Sequence, residues 1–558
     1  MLEHKQVDVT PDSLESGSIN KEGLHPPATA EPSKFNQIMN MLKPYLIGAF
    51  WILMTVYFGF AIGKKRKTAL SDVLPLIFLY VFISLKLVFI YIDSSFLSKG
   101  FGACWNLVVV KPCSFIPERL RTIVYAIVVF AIFLVVSLAL PVTQYGSRGS
   151  RIQSFGGILI IIAAMAALSK HPRKIEWYTV ITGQFIQLLL GIIVIKTEAG
   201  LQFFKWLSDV ARGLLSFADS GSEFLFGSSL ISTFPSFAFS VFPAVIFFVA
   251  FIQIVYFLGG MQWLVGKLSV FFTKLMGTSG SESVVASACP FVGQGESAVL
   301  VAQYVEFMTK SELHAIMTSG FSTISGSVLS GYLSLNVELT YIITSCIMSI
   351  PCSLAMSKLR YPETEESLTK GKAVVPTNET EDVNFLHAAG NGAALGMTLS
   401  LLIAASLIAI ISLLSFTNFM LTWLGHFVGE DEITLNLIMG YILYPLAWLL
   451  GVPKADLLEV SKLLGTKLVA NEFVAYTDLM VAPKDGVSVF SIIQPRSRII
   501  IQFALCGFAN LASIGMQIGA IGAIAPKRKS DIAQLALSAM FTGFIATCIS
   551  AAIAGLLL

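Results

Sequence analysis

Eleven stretches of mostly apolar residues, each close to the length that crosses a bilayer, recur along this 558-residue chain. They lie at about 45–63, 72–92, 122–142, 154–169, 178–195, 233–259, 312–333, 338–356, 391–415, 498–520 and 532–556. A helix needs about 20 apolar residues to traverse roughly 30 Å of hydrocarbon. Backbone polar groups in lipid must be satisfied within the protein, which limits spanning segments to helices and closed barrels. Unalternating runs of this length select helices. The composition agrees: 13% of residues are charged, against about 25% in a typical soluble domain. The expected fold is an all-α polytopic membrane protein with about eleven transmembrane helices.

Other classes are excluded by what the polar residues do not form. A net charge of +3 is too small to favour nucleic acid. The seven cysteines (104, 113, 289, 346, 352, 506, 548) lie mostly in or beside apolar segments, with no CxxC pair or disulfide-framework spacing. The six histidines are dispersed, so neither a metal nor a cofactor is expected. No GxSxG, HExxH or P-loop string supports a hydrolase or an ATP-driven pump. Residues 1–40 are polar, with Pro26-Pro27 and no apolar core, and read as a disordered cytosolic tail rather than a cleaved signal.

The segments between the spans are of two kinds. Residues 201–218 and 261–276 carry apolar residues at helical spacing with charges opposite, as interfacial helices do. Residues 417–450, with Trp423, Glu430, Asp431, Glu432 and Pro445, look interfacial or broken, the acidic cluster being a wet loop. Segments 281–310 and 454–482 are apolar but interrupted by Gly, Pro and charge, and read as re-entrant hairpins. Each holds a carboxylate with an amide nearby: Val292-Gly293-Gln294-Gly295-Glu296 in the first and Asn471-Glu472 in the second. Charge at membrane depth is costly and marks a wet pathway. Behind each hairpin a span contains Gly and small polar residues, Gly320–Ser327 and Gly507–Ile514, where a helix can unwind. Interrupted segments in corresponding halves are the sequence sign of a transport site in an inverted-repeat core.

The domains follow: tail 1–40; three amino-terminal spans in 41–150; scaffold helices 151–280; hairpin 1 and the first repeat 281–356; a polar loop 357–390; a linking span with interfacial segments 391–453; and hairpin 2 with the second repeat 454–558. A cytosolic amino terminus places Lys170, Arg173, Lys174, Lys527, Arg528 and Lys529 inside, as positive residues prefer, whereas Lys64–Lys67 falls outside. The sequon Asn378-Glu379-Thr380 then faces the cytosol.

The string Gly465-Thr466-Lys467-Leu468-Val469-Ala470-Asn471-Glu472-Phe473-Val474-Ala475-Tyr476 resembles the signature of the concentrative nucleoside transporters, which are cation-coupled symporters. Phe503–Asn510 is similar to that family's following helix, and Ser154–Gly157, Ser169–His171 and Lys196–Glu198 are similar to its eukaryotic branch. The resemblance covers roughly 150–556. It implies a plasma-membrane homotrimer enclosing one purine or pyrimidine nucleoside, such as uridine or adenosine, at mid-membrane. By that resemblance Gln294 and Glu296 contact the nucleobase, Glu472, Asn510 and Ser513 hold the ribose, and Phe508 lines the pocket. The cation position maps to Cys289, Val292, Thr323 and Ile324. Cys289 stands where the family has a coordinating Asn, and Gly295 where it has a Thr or Ser. A thiol suits a hard monovalent cation poorly, so proton coupling is preferred to sodium.

The chemistry of the residues agrees. An ionised carboxylate accepts hydroxyl protons, and an amide both donates and accepts. Glu472 with Asn510 suits a ribose diol, and a site built for a hydroxyl rejects analogues lacking it. Glu296 is the first candidate proton carrier and Glu472 the alternative; either could instead cap a hairpin helix. Lys467 is expected to snorkel or to pair the hairpin, and His314 and His426 to lie at wet span ends. The competing readings are a sodium-coupled symporter and, more remotely, a nucleoside or ion channel.

Overall fold

The structure, a computed structural model, describes residues 34–64, 80, 83, 84, 87, 118–227, 237–371, 382–430, 433–482 and 486–558. Residues 1–33, most of 72–92, the sequon at Asn378 and the pair Asp431-Glu432 lie outside the described residues. The chain divides into two units, residues 1–115 and 116–558. In the first, helix α1 (Lys34–Lys64) begins inside the segment expected as tail. It carries an apolar stretch from Ile47 to Lys64. Trp51 Nε1 donates to Ser84 Oγ at 3.1 Å, and the Phe58 and Tyr80 rings lie 4.9 Å apart.

The second unit is helical throughout; among the described residues extended pairing is limited to isolated bridges, Thr143 with Gly146 and Ser279 with Lys370. Its first helices are α2 (Glu118–Ala139), α3 (Arg148–Ala167) and α4 (Trp177–Lys196), all long and apolar enough to cross a membrane. Helix α5 (Glu198–Phe226) extends the expected amphipathic segment to 29 residues. It buries Phe204, Ser208, Leu215, Ala218 and Ser222 along one stripe. Thr197 caps its start by accepting from the Gly200 amide at 3.0 Å. Helices α6 (Phe237–Phe257) and α7 (Gly260–Met276) meet at 77°, so the second leaves the direction of the first at once.

Hairpin 1 follows as α8 (Gly280–Val292), a glycine turn, and the short helices α9 (Glu296–Val299) and α10 (Ala302–Val305). The span expected over 312–333 is broken into α11 (Lys310–Ser322) and α12 (Leu329–Ser334), with Thr323–Ser325 between them outside any helix. Helix α13 (Leu339–Arg360) is unbroken. Helix α14 (Phe385–His426) absorbs the expected span 391–415 and the start of the segment read as broken. Its 42 residues extend about 60 Å, twice the hydrocarbon thickness. Helix α15 (Leu435–Leu449) supplies the rest of that segment.

Hairpin 2 is α16 (Leu457–Val469) and α17 (Glu472–Met480). After α18 (Val489–Ile492), the expected span 498–520 is broken into α19 (Pro495–Leu505) and α20 (Leu511–Ile524). Helix α21 (Lys529–Leu557) is the last described; every residue from Phe544 to Leu557 is buried. It packs against α11, α13, α19 and α3, and so forms the axis of the core.

Both half-spans thus follow a hairpin, as the internal repeat predicts. At one end of the core two capping boxes fix helix starts, Ser279 with Glu282 on α8 and Thr309 with Glu312 on α11. Lys358 on α13 pairs with Glu282 and, at 3.2 Å, with Glu363, and donates to Ser311 Oγ at 3.0 Å. His314 departs from expectation: it is fully buried rather than wet, because α11 is packed on all sides. Its ring nitrogens meet Ser357 Oγ at 2.7 Å and Ser538 Oγ at 3.2 Å. His426 is exposed at the end of α14.

Candidate functional site

The two helix breaks meet. Gly507 has φ +112°, a conformation natural to glycine, and a Cβ there would stand 2.9 Å from Phe321 O. That approach lets the Phe508 amide donate to Thr323 O at 3.2 Å, joining the second break to the first.

Broken helices leave carbonyls without intrahelical partners. Those of α19 are taken by side chains: the Tyr476 hydroxyl donates to Gln502 O at 2.7 Å, Ser345 Oγ to Phe503 O at 3.1 Å, and Lys467 Nζ to Ala504 O at 2.7 Å and Cys506 O at 3.1 Å. Lys467 also reaches Thr547 Oγ1 at 3.0 Å. It therefore does not snorkel. It is fully buried, its ammonium set against the negative end of a half-helix.

Asn510 caps α20, its Oδ1 accepting from the Ser513 amide at 2.9 Å. Its Nδ2 is left to donate, and does so to Glu472 Oε2 at 3.0 Å. Glu472 opens α17, one residue after the cap Asn471, whose Oδ1 accepts from the Val474 amide at 2.8 Å. The other oxygen, Oε1, accepts from the Tyr332 hydroxyl at 3.3 Å. Glu472 is 5% exposed, Asn510 2%, Ser513 1% and Tyr332 fully buried. The carboxylate of hairpin 2 is thus held by one donor from each broken span. Phe508, half-buried, sits in the turn between Gly507 and Asn510.

Hairpin 1 packs by its tip on both broken spans, at α11 and α20. Gln294 lies in its glycine turn, and a Cβ on Gly320 would stand 2.9 Å from Gln294 Cβ and 2.1 Å from Gln517 Nε2. A Cβ on Gly295 would lie 2.7 Å from Ala520 Cβ, so the tip packs on α20. Among the described residues, Gln294 Oε1 and Gln517 Oε1 are buried without a hydrogen-bond partner. The Glu296 backbone starts α9 beside this turn; its side chain lies outside the described residues.

The four positions expected to hold a cation lie along hairpin 1 and the first break. Cys289 Sγ is 3.2 Å from Ser297 Oγ. Val292 O accepts from Ser325 Oγ at 3.3 Å, and Thr323 Oγ1 donates to Ser319 O at 3.0 Å. Ile324 is buried in the non-helical stretch after Thr323. Among the described residues no cluster of His, Cys, Asp and Glu suits a metal ion. Tyr332, Ser325 and Gln517 were not foreseen as site residues. Tyr332 lies 140 positions from Glu472, so no spacing rule links them. Its one sequence signal is its place just behind the Gly/Ser-rich break.

Three family models match along the chain: the amino-terminal part of Na+ dependent nucleoside transporters over 156–229, a nucleoside recognition gate over 238–336, and the transporters' carboxy-terminal part over 341–555. Sodium/nucleoside cotransporter 2 of Rattus norvegicus is 36% identical over 556 residues, covering 98% of this chain and 82% of that one. The chain belongs to the concentrative nucleoside transporter family. Sodium/nucleoside cotransporter 1 of Homo sapiens is 39% identical over 432 residues, 76% of this chain and 66% of its own. Among solved structures, CNTnw in an inward-facing substrate-bound state is 34% identical with a TM-score of 0.67, over 73% of this chain and 98% of its own. A CNTnw variant in an outward-facing state gives 0.69 at the same identity, over 74% and 99%. The helical fold and integral, multi-pass membrane character are those of the family.

Proposed function

We propose that the chain is a secondary active transporter that imports nucleosides by proton symport. The observation that carries this reading is Glu472, held by Asn510 and Tyr332 where the two broken spans cross. In it Glu472, Asn510 and Ser513 receive the ribose hydroxyls, Phe508 lines the pocket, and Gln294 and Glu296 read the base. The oxygen of Gln294, which has no hydrogen-bond partner among the described residues, favours this, since a buried unpaired acceptor is costly until a ligand donates to it. Glu296 carries the proton. Cys289, Val292, Thr323 and Ile324 are the remnant of a cation site. The thiol of Cys289 and the engagement of Val292 O by a hydroxyl both favour protons over a hard metal cation. Residence in the plasma membrane and assembly as a homotrimer complete the proposal.

Sodium coupling is the second reading, favoured by the names of the relatives. Uptake of radiolabelled uridine and adenosine in cells without endogenous nucleoside transport separates the two, with sodium replaced by a bulky organic cation and external pH varied. Uphill accumulation driven by external acid without sodium is expected. Accumulation that requires sodium establishes the second reading, and uptake that only equilibrates would make the chain a channel.

A further inference from the structure

We propose that Tyr332 is the residue that sets discrimination between ribose and deoxyribose, by fixing the plane of the Glu472 carboxylate. This rests on the proposed role of Glu472 in meeting substrate hydroxyls. An ionised carboxylate offers about four lone-pair positions. Asn510 Nδ2 takes one on Oε2 and the Tyr332 hydroxyl one on Oε1, leaving up to two, one on each oxygen. Two acceptor positions side by side match a vicinal diol. They stay matched only while the carboxylate cannot rotate about its terminal torsion, which is intrinsically broad.

Asn510 alone anchors one oxygen, and Tyr332 supplies the second anchor. It can do so because it is itself immobile. Its ring is fully buried, 5.1 Å from Tyr476 and 6.0 Å from Phe473, both in the signature string. A Cβ on the neighbouring Gly331 would stand 2.9 Å from the Phe473 ring, so α12 is pressed against hairpin 2 along this edge. The hydroxyl is thus aimed from the first repeat at the carboxylate of the second. Tyr332 is a positioning residue: it acts on substrate through Glu472.

The test compares KM and Vmax for uridine, 2′-deoxyuridine and 3′-deoxyuridine in the full-length transporter and in Tyr332→Phe. KM for uridine should rise roughly ten- to a hundredfold, the worth of one hydrogen bond to a charged group. KM for the two deoxy analogues should change less than twofold, collapsing the ratio between them. A change of equal size for all three substrates, as a packing defect would give, overturns the proposal, as does an unchanged ratio. If Tyr332→Phe fails to reach the membrane, p-methylphenylalanine at position 332 restores the volume without a donor and carries the same expectation. p-Aminophenylalanine there retains an N–H donor and should keep the discrimination; loss of it would overturn the proposal. A wild-type chain that takes up no nucleoside would instead refute the proposed function.

Discussion

A single buried lysine shows what membrane depth demands of one side chain. Lys467 carries its charge into a fully buried position and meets two backbone carbonyls and a hydroxyl there. Replacing it by Met keeps the volume and strands Ala504 O and Cys506 O, each at about 1–3 kcal/mol. The melting temperature of detergent-purified Lys467→Met should fall by several degrees. Lys467→Arg should not rescue it, because a planar five-donor fork does not fit where three rotatable donors did. A snorkelling lysine would tolerate both changes, so an unshifted melting curve would refute the capping role. The signature string drew attention to this residue, yet its task was illegible. Its acceptors are main-chain atoms 37 and 39 positions further on, and carbonyls have no letter. The pairing of Glu472 with Asn510 was legible because both side chains carry the hydrogen-bonding groups themselves. Tyr332 was not, since a tyrosine in an apolar chain is usually an interface anchor.

At the scale of elements, a glycine lets the two breaks approach each other and a charge cluster fixes the base of hairpin 1. Gly507 is strained for any other residue, at about 1–3 kcal/mol, and a Cβ would crowd Phe321 O. Gly507→Ala should therefore reach the membrane but push the two breaks apart, raising KM for uridine at least tenfold. Gly519, with open space around its Cβ position, is the control and should leave KM unchanged. At the other end of the core, Lys358 bridges Glu282 and Glu363. Removing one member of a buried pair leaves an uncompensated charge, typically at 3–5 kcal/mol. Lys358→Met should unfold the base of hairpin 1, read as faster hydrogen exchange over α8 and α11; unaltered exchange there would sink that account. The hairpins and breaks could be read from sequence because Gly, Pro and hydroxyl residues interrupt apolar runs at matching places. The 42-residue reach of α14 could not, since Trp423 and the acidic residues after it resemble a loop whether or not a helix has ended. His314 misled for a similar reason. Its position near a span end suggests water, but Ser357 and Ser538 come to it from two other helices.

For the whole molecule the arrangement around hairpin 1 bears on which ion drives transport. A sodium ion needs several hard oxygens free at once. Here one expected ligand is a thiol resting on Ser297 and another, the Val292 carbonyl, already accepts from Ser325, while the Thr323 hydroxyl donates to Ser319 O and keeps its own oxygen available. A proton needs only one basic group that alternates between two sides, and Glu296, beside the turn of hairpin 1, is the candidate. Proton and substrate must then raise each other's affinity by the same factor. Lower external pH should therefore lower the apparent KM for uridine, and saturating uridine should draw protons inward as measurable acidification. Glu296→Gln should lose both effects together while residual downhill uptake persists. Cys289→Asn should do the opposite, adding a sodium stimulation absent from the parent without removing the response to pH. Should Cys289→Asn gain nothing while the parent already responds to sodium, the cation is held by oxygens other than these four. The coupling would then be that of the sodium-named relatives.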